Sequence, residues 1–334
     1  MFDYTARPDL LKGRIILVTG AGRGIGAAAA KAYAALGATV LLLGKTEANL
    51  NEVYDQIEAA GHPQPVVIPF NLETALPHQY DELAVMIEDQ FGRLDGLLNN
   101  ASIIGPRTPL EQLSGDNFMR VMHINVDATF MLTSTLLPLL KLSEDASVVF
   151  TSSSVGRKGR AYWGAYGVSK FATEGLMQTL ADELEGVAPV RSNSINPGAT
   201  RTAMRAQAYP SENPQNNPLP EEIMPVYLYL MGPDSTGVNG QAFNAQLNLH
   251  WPYRRQAGSH RYRAVPEPVG AGLPAIGPVA TSQQRAPGAY APAAAPPAAC
   301  TAPGTGTCSH SSCRSPCAVR CAAPGSGSRR PGCR

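Results

Sequence analysis

The stretch Arg14-Ile-Ile-Leu-Val-Thr-Gly-Ala-Gly-Arg-Gly-Ile-Gly26 joins a short apolar run to a glycine-rich turn. The apolar run at residues 14–19 is typical of a strand covered on both faces, as in the parallel sheets of α/β proteins. Gly20, Gly24 and Gly26 allow a tight turn, a close approach to a pyrophosphate and packing of the next helix on the sheet. The N–H groups that begin this helix would then face the phosphates. Such a turn can be purely structural, but its place after the first strand favours cofactor binding.

Outward from this turn, the chain alternates strands with helices. Strand patterns lie at residues 14–19, 38–43, 65–70, 96–98, 147–151 and 190–195. Helical patterns lie between them at residues 27–36, 47–59, 80–91, 116–140 and 166–184. Gly37 and Gly61 follow the first two helices, as C-terminal caps do. This order predicts an α/β fold, namely a single Rossmann-like domain with a doubly wound parallel sheet and helices on both faces.

The composition divides the 334-residue chain near residues 246–250. The first 250 residues carry 17 Lys and Arg against 25 Asp and Glu, a net charge of −8, and contain no cysteine. Residues 251–334 carry 10 Arg and one acidic residue, a net charge of +9, with 13 Pro, 10 Gly and all six cysteines. Periodic patterns stop there and large aliphatic residues are sparse. We therefore expect a folded domain over residues 1–250 and a disordered tail over 251–334.

Several classes of protein are disfavoured by these patterns. The N-terminus has no apolar run that could act as a signal sequence, and the apolar stretch at residues 130–142 is too short and too polar to span a bilayer. A core without cysteine uses neither disulfides nor thiol chemistry. None of the six histidines lies in a metal-binding or nucleophile pattern, so we expect no metal site. These features predict a cytoplasmic protein without a membrane partner.

The tail has the composition of a GC-rich gene translated out of frame: Arg without Lys, together with Ala, Pro, Gly, Cys and Ser. Cys308, Cys313, Cys317 and Cys321 have spacings that fit a structural zinc site poorly. A basic tail can bind nucleic acid or an anionic membrane, but no aromatic residue lies among the terminal arginines. The leading hypothesis is a frameshifted or read-through terminus that binds no nucleic acid.

Four motifs resemble those of the short-chain dehydrogenase/reductase family: residues 19–26 (TGAGRGIG), Asn99-Asn100-Ala101, Tyr166-Gly-Val-Ser-Lys170 and Asn196-Pro197-Gly198. The resemblance covers residues 10–246, with the motifs in the family's order and spacing. Residues 150–166 (FTSSSVGRKGRAYWGAY) and 196–210 (NPGATRTAMRAQAYP) are most similar to the YciK-type bacterial oxidoreductases. The resemblance implies hydride transfer between a nicotinamide cofactor and a small carbonyl or alcohol substrate.

Tyr166 and Lys170 are four residues apart, so on a helix they project from one face. A tyrosine with a pKa near 10 is a poor acid or base at neutral pH, and a neighbouring ammonium favours the phenolate. Lowering the pKa by ~3 requires ~4 kcal/mol, which we expect from a partly desolvated site. The alternative is an ordinary exposed Tyr/Lys pair. With the glycine turn present, we expect Tyr166 to be the general acid and base and Lys170 its electrostatic partner.

The resemblance implies two more catalytic residues. Family members place a serine thirteen residues before the tyrosine, which corresponds to Ser153. Ser154 is the alternative, and since strand residues alternate faces, adjacent serines cannot both face the substrate. Asn125 matches the asparagine that supports a water between the active-site lysine and solvent; alternatively, it bonds its own backbone.

Charge predicts NADP(H) as the preferred cofactor, with NAD(H) as the alternative. An acid after the second strand would repel a 2′-phosphate, but Gly44 and Lys45 occupy this place, and Arg23 lies in the glycine turn. The alternative is that these cations are simply solvated. The resemblance assigns to the cofactor the turn residues Thr19, Gly20, Arg23, Gly24, Ile25 and Gly26, then Lys45, Asn71, Leu72, Asn99 and Ala101, and finally Tyr166, Lys170, Pro197, Gly198, Thr200 and Thr202.

Residues 201–222 are expected to form a lid over the substrate. Arg201 and Arg205 in this segment either attract an anionic substrate or face solvent.

Relatives commonly assemble through helices equivalent to 116–140 and 166–184, which implies a homodimer or homotetramer. Leu132, Leu136 and Leu140 lie on one helix face, although such a stripe can equally be core.

The alternative function is that of a sensor that binds NADP(H) but catalyses no reaction. Such a sensor has no need for the Ser/Tyr/Lys set.

Overall fold

Seven strands form one parallel sheet in the computed structural model, which describes residues 1–246. The strands are β1 (Ile15–Thr19), β2 (Thr39–Gly44), β3 (Val66–Pro69), β4 (Gly96–Asn99), β5 (Ala146–Thr151), β6 (Val190–Asn196) and β7 (Ala242–Asn244). Their order in the sheet is β3-β2-β1-β4-β5-β6-β7, and every neighbouring pair is parallel. The order reverses direction between β1 and β4. This point creates a crevice at the carboxyl ends of the strands, where α/β proteins bind ligands.

Helices cover both faces of the sheet. They are α1 (Gly24–Ala35), α2 (Glu47–Ala59), α3 (Pro77–Phe91), α4 (Gly115–Met122), α5 (Ala128–Lys141), α6 (Gly164–Leu184), α7 (Ala203–Ala208) and α8 (Met224–Met231). One core cluster joins α1, α2 and α8 to one face, and a second joins α3, α5 and α6 to the other. The predicted fold class is confirmed for this part of the chain.

The central strands are buried on both sides, which explains their uninterrupted apolar sequence. Ile16 and Val18 of β1 pack into the first cluster, whereas Leu17 between them packs into the second. Leu17 is aligned with Leu41 of β2 on one side and Leu97 of β4 on the other. Alternation along the strand therefore supplies both cores from one apolar run.

The structure differs from the sequence prediction at several element boundaries. The first helix begins at Gly24 rather than at residue 27, and the predicted helix 116–140 is interrupted by a π-helical turn, His123–Asp127, between α4 and α5. Helices α7 and α8 and strand β7 were not predicted. Helix α8 lacks an amphipathic pattern because all eight of its residues are apolar or aromatic: five are buried and the other three are partly buried. Strand β7 has only three residues, too few for a period to be detected.

The predicted tail at residues 251–334 lies outside the described residues, as do residues 247–250, so the domain boundary stays a prediction. Within residues 1–246, no helix is long and apolar enough to cross a membrane. The same residues contain no group of three or more His, Cys, Asp or Glu that could hold a metal ion.

Asp95 ties together the amino ends of the strands, at the edge opposite the crevice. Its carboxylate accepts hydrogen bonds from the Ile15 N–H (2.8 Å), the Ser143 hydroxyl (2.6 Å) and Arg93 Nε (2.9 Å). Burial by itself raises the pKa of Asp95, but these hydrogen bonds outweigh burial and lower the pKa below its ordinary value. The contacts give Asp95 a structural function.

Candidate active site

The glycine turn after β1 is compact enough to admit only glycine at key positions. Gly20 and Gly24 have φ angles of +66° and +57°. A Cβ at Gly26 would overlap the Gly20 carbonyl oxygen, and one at Gly20 would lie 3.2 Å from Ala101 Cα. Helix α1 begins at Gly24 without a side-chain cap or an acidic residue in its first turn. Its first N–H groups are therefore suited to bind an anion at the carboxyl edge of the sheet.

Thr19 holds this turn against the end of β4. Its Oγ1 accepts hydrogen bonds from the N–H groups of Asn100 (2.9 Å) and Ala101 (3.0 Å) and donates to the Leu98 carbonyl (3.2 Å). The Asn100 side chain returns a hydrogen bond to the Thr19 carbonyl at 3.1 Å. The Thr19 hydroxyl is thus engaged inside the protein, and Thr19 acts by positioning the turn.

The residues predicted for the adenosine end surround the ends of β2 and β3. Arg23, Lys45 and Asn71 are exposed, whereas Leu72 is buried. Neither Arg23 nor Lys45 forms a salt bridge with any described residue. The Asn71 carboxamide oxygen accepts the Glu73 N–H at 3.1 Å, which shapes the loop after β3.

Ser153 and Tyr166 meet beyond the end of β5. The Ser153 side chain lies near enough to the Tyr166 phenol to lower its pKa, while Ser154 begins a short 3-10 turn, Ser154–Gly156. The structure therefore brings Ser153, rather than Ser154, to the tyrosine. Burial raises the pKa of Tyr166 to about 12, against the lowering effect of Ser153. The protein by itself therefore does not produce the expected lowering of the Tyr166 pKa, because the effect of burial outweighs that of Ser153.

Lys170 lies one helical turn after Tyr166 and is buried. Its Nζ lies 5.6 Å from the centroid of the Tyr166 ring and donates a hydrogen bond to the Thr151 carbonyl at 2.7 Å. Burial lowers the pKa of Lys170 to about 8, while Glu174 one turn later opposes this effect. Glu174 accepts hydrogen bonds from Arg157 and Ser194. The sequence analysis missed Glu174, although it continues the four-residue spacing of Tyr166 and Lys170.

Asn125 lies in the π-helical turn and contacts two other segments. Its Oδ1 accepts the Ile103 N–H at 2.8 Å, and its Nδ2 donates to the Ile103 carbonyl at 2.9 Å and to Ser169 Oγ at 3.0 Å. The side chain therefore links the loop after β4 to α6, instead of bonding the backbone of its own helix.

The loop after β6 approaches the glycine turn. Gly198 has a φ of +73°, and Thr202 caps α7 by accepting the Arg205 N–H at 3.1 Å. A Cβ at Gly24 would lie 3.5 Å from Thr202 Cγ2. Thr200 donates to the Pro197 carbonyl at 3.2 Å. The predicted residues of this loop thus lie beside the predicted pyrophosphate-binding turn.

Asn99 is buried at the end of β4, where its side-chain amide donates to Thr133 Oγ1 at 3.0 Å. Ala101 is half-buried and adjoins Gly20, so this part of the predicted site lies between β1 and β5.

The lid arginines form hydrogen bonds within the lid segment itself. Arg201 donates to the carbonyls of Pro214 (3.0 Å) and Asn217 (3.0 Å). Arg205 forms two hydrogen bonds of 2.6 Å with the Glu212 carboxylate. Both guanidinium groups stabilise the conformation of residues 201–217.

The leucine stripe of α5 belongs to the core. Leu132, Leu136 and Leu140 are at most 1% exposed, so the core alternative holds. Helices α5 and α6 instead expose Phe130 and Phe171 by about half.

Two aromatic residues that the sequence analysis missed flank Tyr166. The Trp163 ring centroid lies 5.6 Å from that of Tyr166 and 6.1 Å from that of Tyr209, which follows α7. Trp163 precedes Tyr166 by three residues, a helical spacing that signals proximity. The sequence around Tyr209 gives no indication that this residue belongs to the site, because only the folded lid brings it there.

Comparison with known proteins identifies the family. The family model for short chain dehydrogenases matches residues 14–213. The oxidoreductase YciK of Escherichia coli (strain K12) is 51% identical over 243 residues, which cover 73% of this chain and 96% of YciK. The chain is therefore of the YciK type, as predicted.

Solved structures agree with the fold. A short chain dehydrogenase from Pseudomonas syringae is 78% identical, with a TM-score of 0.73, and the match covers 74% of this chain and all of that one. A short chain dehydrogenase from Shigella flexneri 2a, complexed with NADP, is 52% identical, with a TM-score of 0.70, and the match covers 72% of this chain and all of that one. The chain belongs to the short-chain dehydrogenase/reductase family of oxidoreductases.

Proposed function

We propose that the protein interconverts a carbonyl compound and an alcohol with NADP(H), using Tyr166 as general acid and base. One arrangement carries this proposal: Ser153 lies beside the Tyr166 phenol, and the Nζ of the buried Lys170 lies 5.6 Å from the Tyr166 ring centroid. This group lies at the carboxyl edge of the sheet, where the glycine turn also lies. A proton donor and a dinucleotide-binding turn at the same edge suit hydride transfer coupled to proton transfer.

The geometry of the glycine turn fits a dinucleotide. Positive φ angles and close backbone contacts exclude side chains there, and the N–H groups of α1 are suited to the pyrophosphate. Arg23 and Lys45 are exposed and form no salt bridge within residues 1–246, which supports their binding of a 2′-phosphate. The S. flexneri relative, complexed with NADP, supports the same cofactor. When bound, the nicotinamide supplies or accepts the hydride.

Other predicted residues would hold the remaining parts of the cofactor. We assign Asn71 and Leu72 to the adenine, Asn99 and Ala101 to the nicotinamide ribose, and the loop after β6 to the carboxamide and phosphate. That loop contributes Pro197, Gly198, Thr200 and Thr202. Lys170 would also anchor the ribose.

In the reducing direction, the substrate oxygen accepts hydrogen bonds from Ser153 and Tyr166. As the carbonyl carbon gains a hydride, Tyr166 donates its phenolic proton to the oxygen, so an alcohol forms and a phenolate remains. The Lys170 ammonium stabilises this phenolate, and Asn125 supports its reprotonation from solvent. The pKa of about 12 keeps Tyr166 protonated at neutral pH, which suits carbonyl reduction. Oxidation reverses these steps.

Tyr166→Phe tests the mechanism directly. We expect the full chain to lose at least about 100-fold in kcat/KM on a panel of aldehydes and ketones with NADPH, because the proton donor is removed. The Kd for NADPH should change little. Tyr162→Phe, an exposed tyrosine four residues earlier, is the matched control. Retention of activity within tenfold by Tyr166→Phe would contradict the assignment, whereas wild-type NADPH binding without any turnover would favour the sensor.

We further propose that the protein is a homodimer or homotetramer assembled through α5 and α6. Phe130 and Phe171 are 51% and 48% exposed on these helices, and Val168 beside Phe171 is 46% exposed. Burial of these side chains against a second copy would remove apolar surface from water.

We also propose that the catalytic domain ends near residue 250 and that residues 251–334 are a frameshifted or read-through terminus rather than part of the native protein. The abrupt change from a net charge of −8 to +9 supports this boundary. Intact-mass measurement of the protein from its native host tests this proposal, since a mass that includes residues 251–334 would show that the native protein carries the tail.

A further inference from the structure

We propose that Arg107 forms an anion-binding site at the mouth of the active site. The substrate would then carry a carboxylate or phosphate group in addition to its reacting carbonyl or alcohol. This substrate class rests on the proposed function for the reacting group, but the anion site itself does not.

Arg107 lies against two aromatic rings from different segments. Its guanidinium carbon is 4.7 Å from the ring centroid of Trp163 and 4.7 Å from that of Tyr209. Its Nη1 also donates a hydrogen bond to the Ala208 carbonyl. The loop after β4 thereby presents a cation in the corner between the two rings, and cation–π attraction holds the guanidinium there.

This cation is close to the reacting group. Because the Trp163 and Tyr166 centroids are 5.6 Å apart and Arg107 is 4.7 Å from the Trp163 centroid, the guanidinium lies no more than about 10 Å from the Tyr166 ring centroid. This separation is short enough for a small molecule with a polar group at each end to span.

The charge of Arg107 is not neutralised within residues 1–246, unlike that of its neighbour. Arg205 also stacks on Tyr209, at 3.9 Å, but it is paired with Glu212 through two hydrogen bonds of 2.6 Å. Arg107 forms no salt bridge with any described residue, and its hydrogen bond to Ala208 goes to a neutral acceptor. The remaining N–H groups of its planar fork match the geometry of a carboxylate or phosphate.

The surface around Tyr166 indicates what joins the two ends of the substrate. Tyr166 packs in a small cluster with Ile104, Val155 and Ala208, to which Trp163, Met204 and Tyr209 add aromatic and thioether surface. The partly exposed Trp163, Met204 and Tyr209 therefore offer an apolar and aromatic surface, which favours a substrate with an apolar or aromatic body. The substrate is thus an amphipathic molecule with a carbonyl or alcohol at Tyr166 and an oxyanion at Arg107.

A purely structural role for Arg107 predicts a different result. The hydrogen bond to Ala208 connects the loop after β4 to the lid, so loss of Arg107 could loosen the lid for every substrate. An anion-binding role instead affects only substrates with the negative charge. Pairs of compounds that differ in charge separate these two roles.

The experiment compares 4-formylbenzoate and 4-formylphenyl phosphate with the neutral methyl 4-formylbenzoate, using the full chain and NADPH. We expect wild type to favour an anionic aldehyde by about 10- to 100-fold in kcat/KM, as charge-assisted hydrogen bonds do. Arg107→Met should remove this preference, mainly through KM. Arg205→Met, the matched control, should affect charged and neutral aldehydes equally. The better of the two anions identifies the carboxylate or phosphate source.

Equilibrium binding of the same compounds by calorimetry separates this proposal from the proposed reaction. If no aldehyde is reduced but anion binding still depends on Arg107, the anion site is supported and the proposed reaction is refuted. If wild type binds the anionic and neutral compounds equally, or if Arg107→Met weakens binding of both equally, the anion site is refuted whatever the turnover.

Discussion

Lys170→Met should stabilise the protein at neutral pH while abolishing its proposed activity. Burial lowers the pKa of Lys170 from 10.5 to about 8, so the folded state disfavours the ammonium. A pKa difference of about 2.5 corresponds to about 3 kcal/mol of folding free energy at pH 7. Methionine has a similar length but no charge, and it loses the 2.7 Å hydrogen bond to Thr151, at a cost of about 1 kcal/mol. We expect a net stabilisation of about 2 kcal/mol.

The pH dependence of this difference gives a sharper test than its size. Because the folded pKa is lowered, the unfolded state binds more protons between pH 8 and 10.5, and the wild type becomes more stable as the pH rises through this window. The variant lacks the titrating group, so its advantage should shrink across the window. Above pH 10.5 only the lost hydrogen bond remains, and the variant should be less stable by about 1 kcal/mol.

Urea unfolding of both proteins at equal concentration, without added cofactor, from pH 7 to 10.5 measures this difference. Other titrating groups cancel between the two proteins. Lys12→Met is the control, because Lys12 is exposed and its replacement should change the free energy of unfolding by less than about 0.5 kcal/mol at each pH. A difference for Lys170→Met that stays constant with pH, or a loss of stability at pH 7, would refute the reasoning.

Three other changes test separate parts of the molecule. Asp95→Asn should lower the free energy of unfolding by about 2 to 3 kcal/mol at pH 7 in urea unfolding, because it removes the charge of a buried carboxylate that accepts three hydrogen bonds. Because folding lowers the pKa of Asp95, this loss of stability should persist above pH 3.8 and diminish as the pH falls through the pKa of Asp95 in the folded state. A difference in stability between wild type and variant that is unchanged at pH 3 would contradict this prediction. The double variant Arg23→Ala and Lys45→Ala should raise the Kd for NADPH about 10- to 100-fold in fluorescence titration, without affecting NADH, because charge-assisted contacts to the 2′-phosphate are lost. Arg7→Ala is the control, and equal weakening of both cofactors would exclude the 2′-phosphate role. Phe171→Glu should reduce the mass measured by light scattering to that of a monomer, because it places a charge in the proposed apolar interface; a monomeric wild type, or an unchanged oligomer in the variant, would reject this interface.

Local features of the sequence predicted much of the fold and part of the candidate site. Residues 14–26 predicted β1, the turn and the approximate start of α1. The apolar run and the position of the glycines determine the local backbone conformation within a few residues. The spacing of Tyr166 and Lys170 predicted a common helix face for the same reason. Helix α8 was missed because its eight residues are all apolar or aromatic, so the sequence has no alternation of polar and apolar residues from which a helix could be predicted.

The sequence by itself determined the order of the first six strands and of the helices between them, the glycine turn and the helical spacing of Tyr166 and Lys170. Tertiary structure decided which serine meets Tyr166, and it placed Arg107 beside Trp163 and Tyr209. Burial in the folded protein also raises the pKa of Tyr166, whereas the sequence analysis expected this pKa to be lowered. Hydrogen-bond partners and desolvation depend on residues far apart in the chain, and only folding brings these residues together.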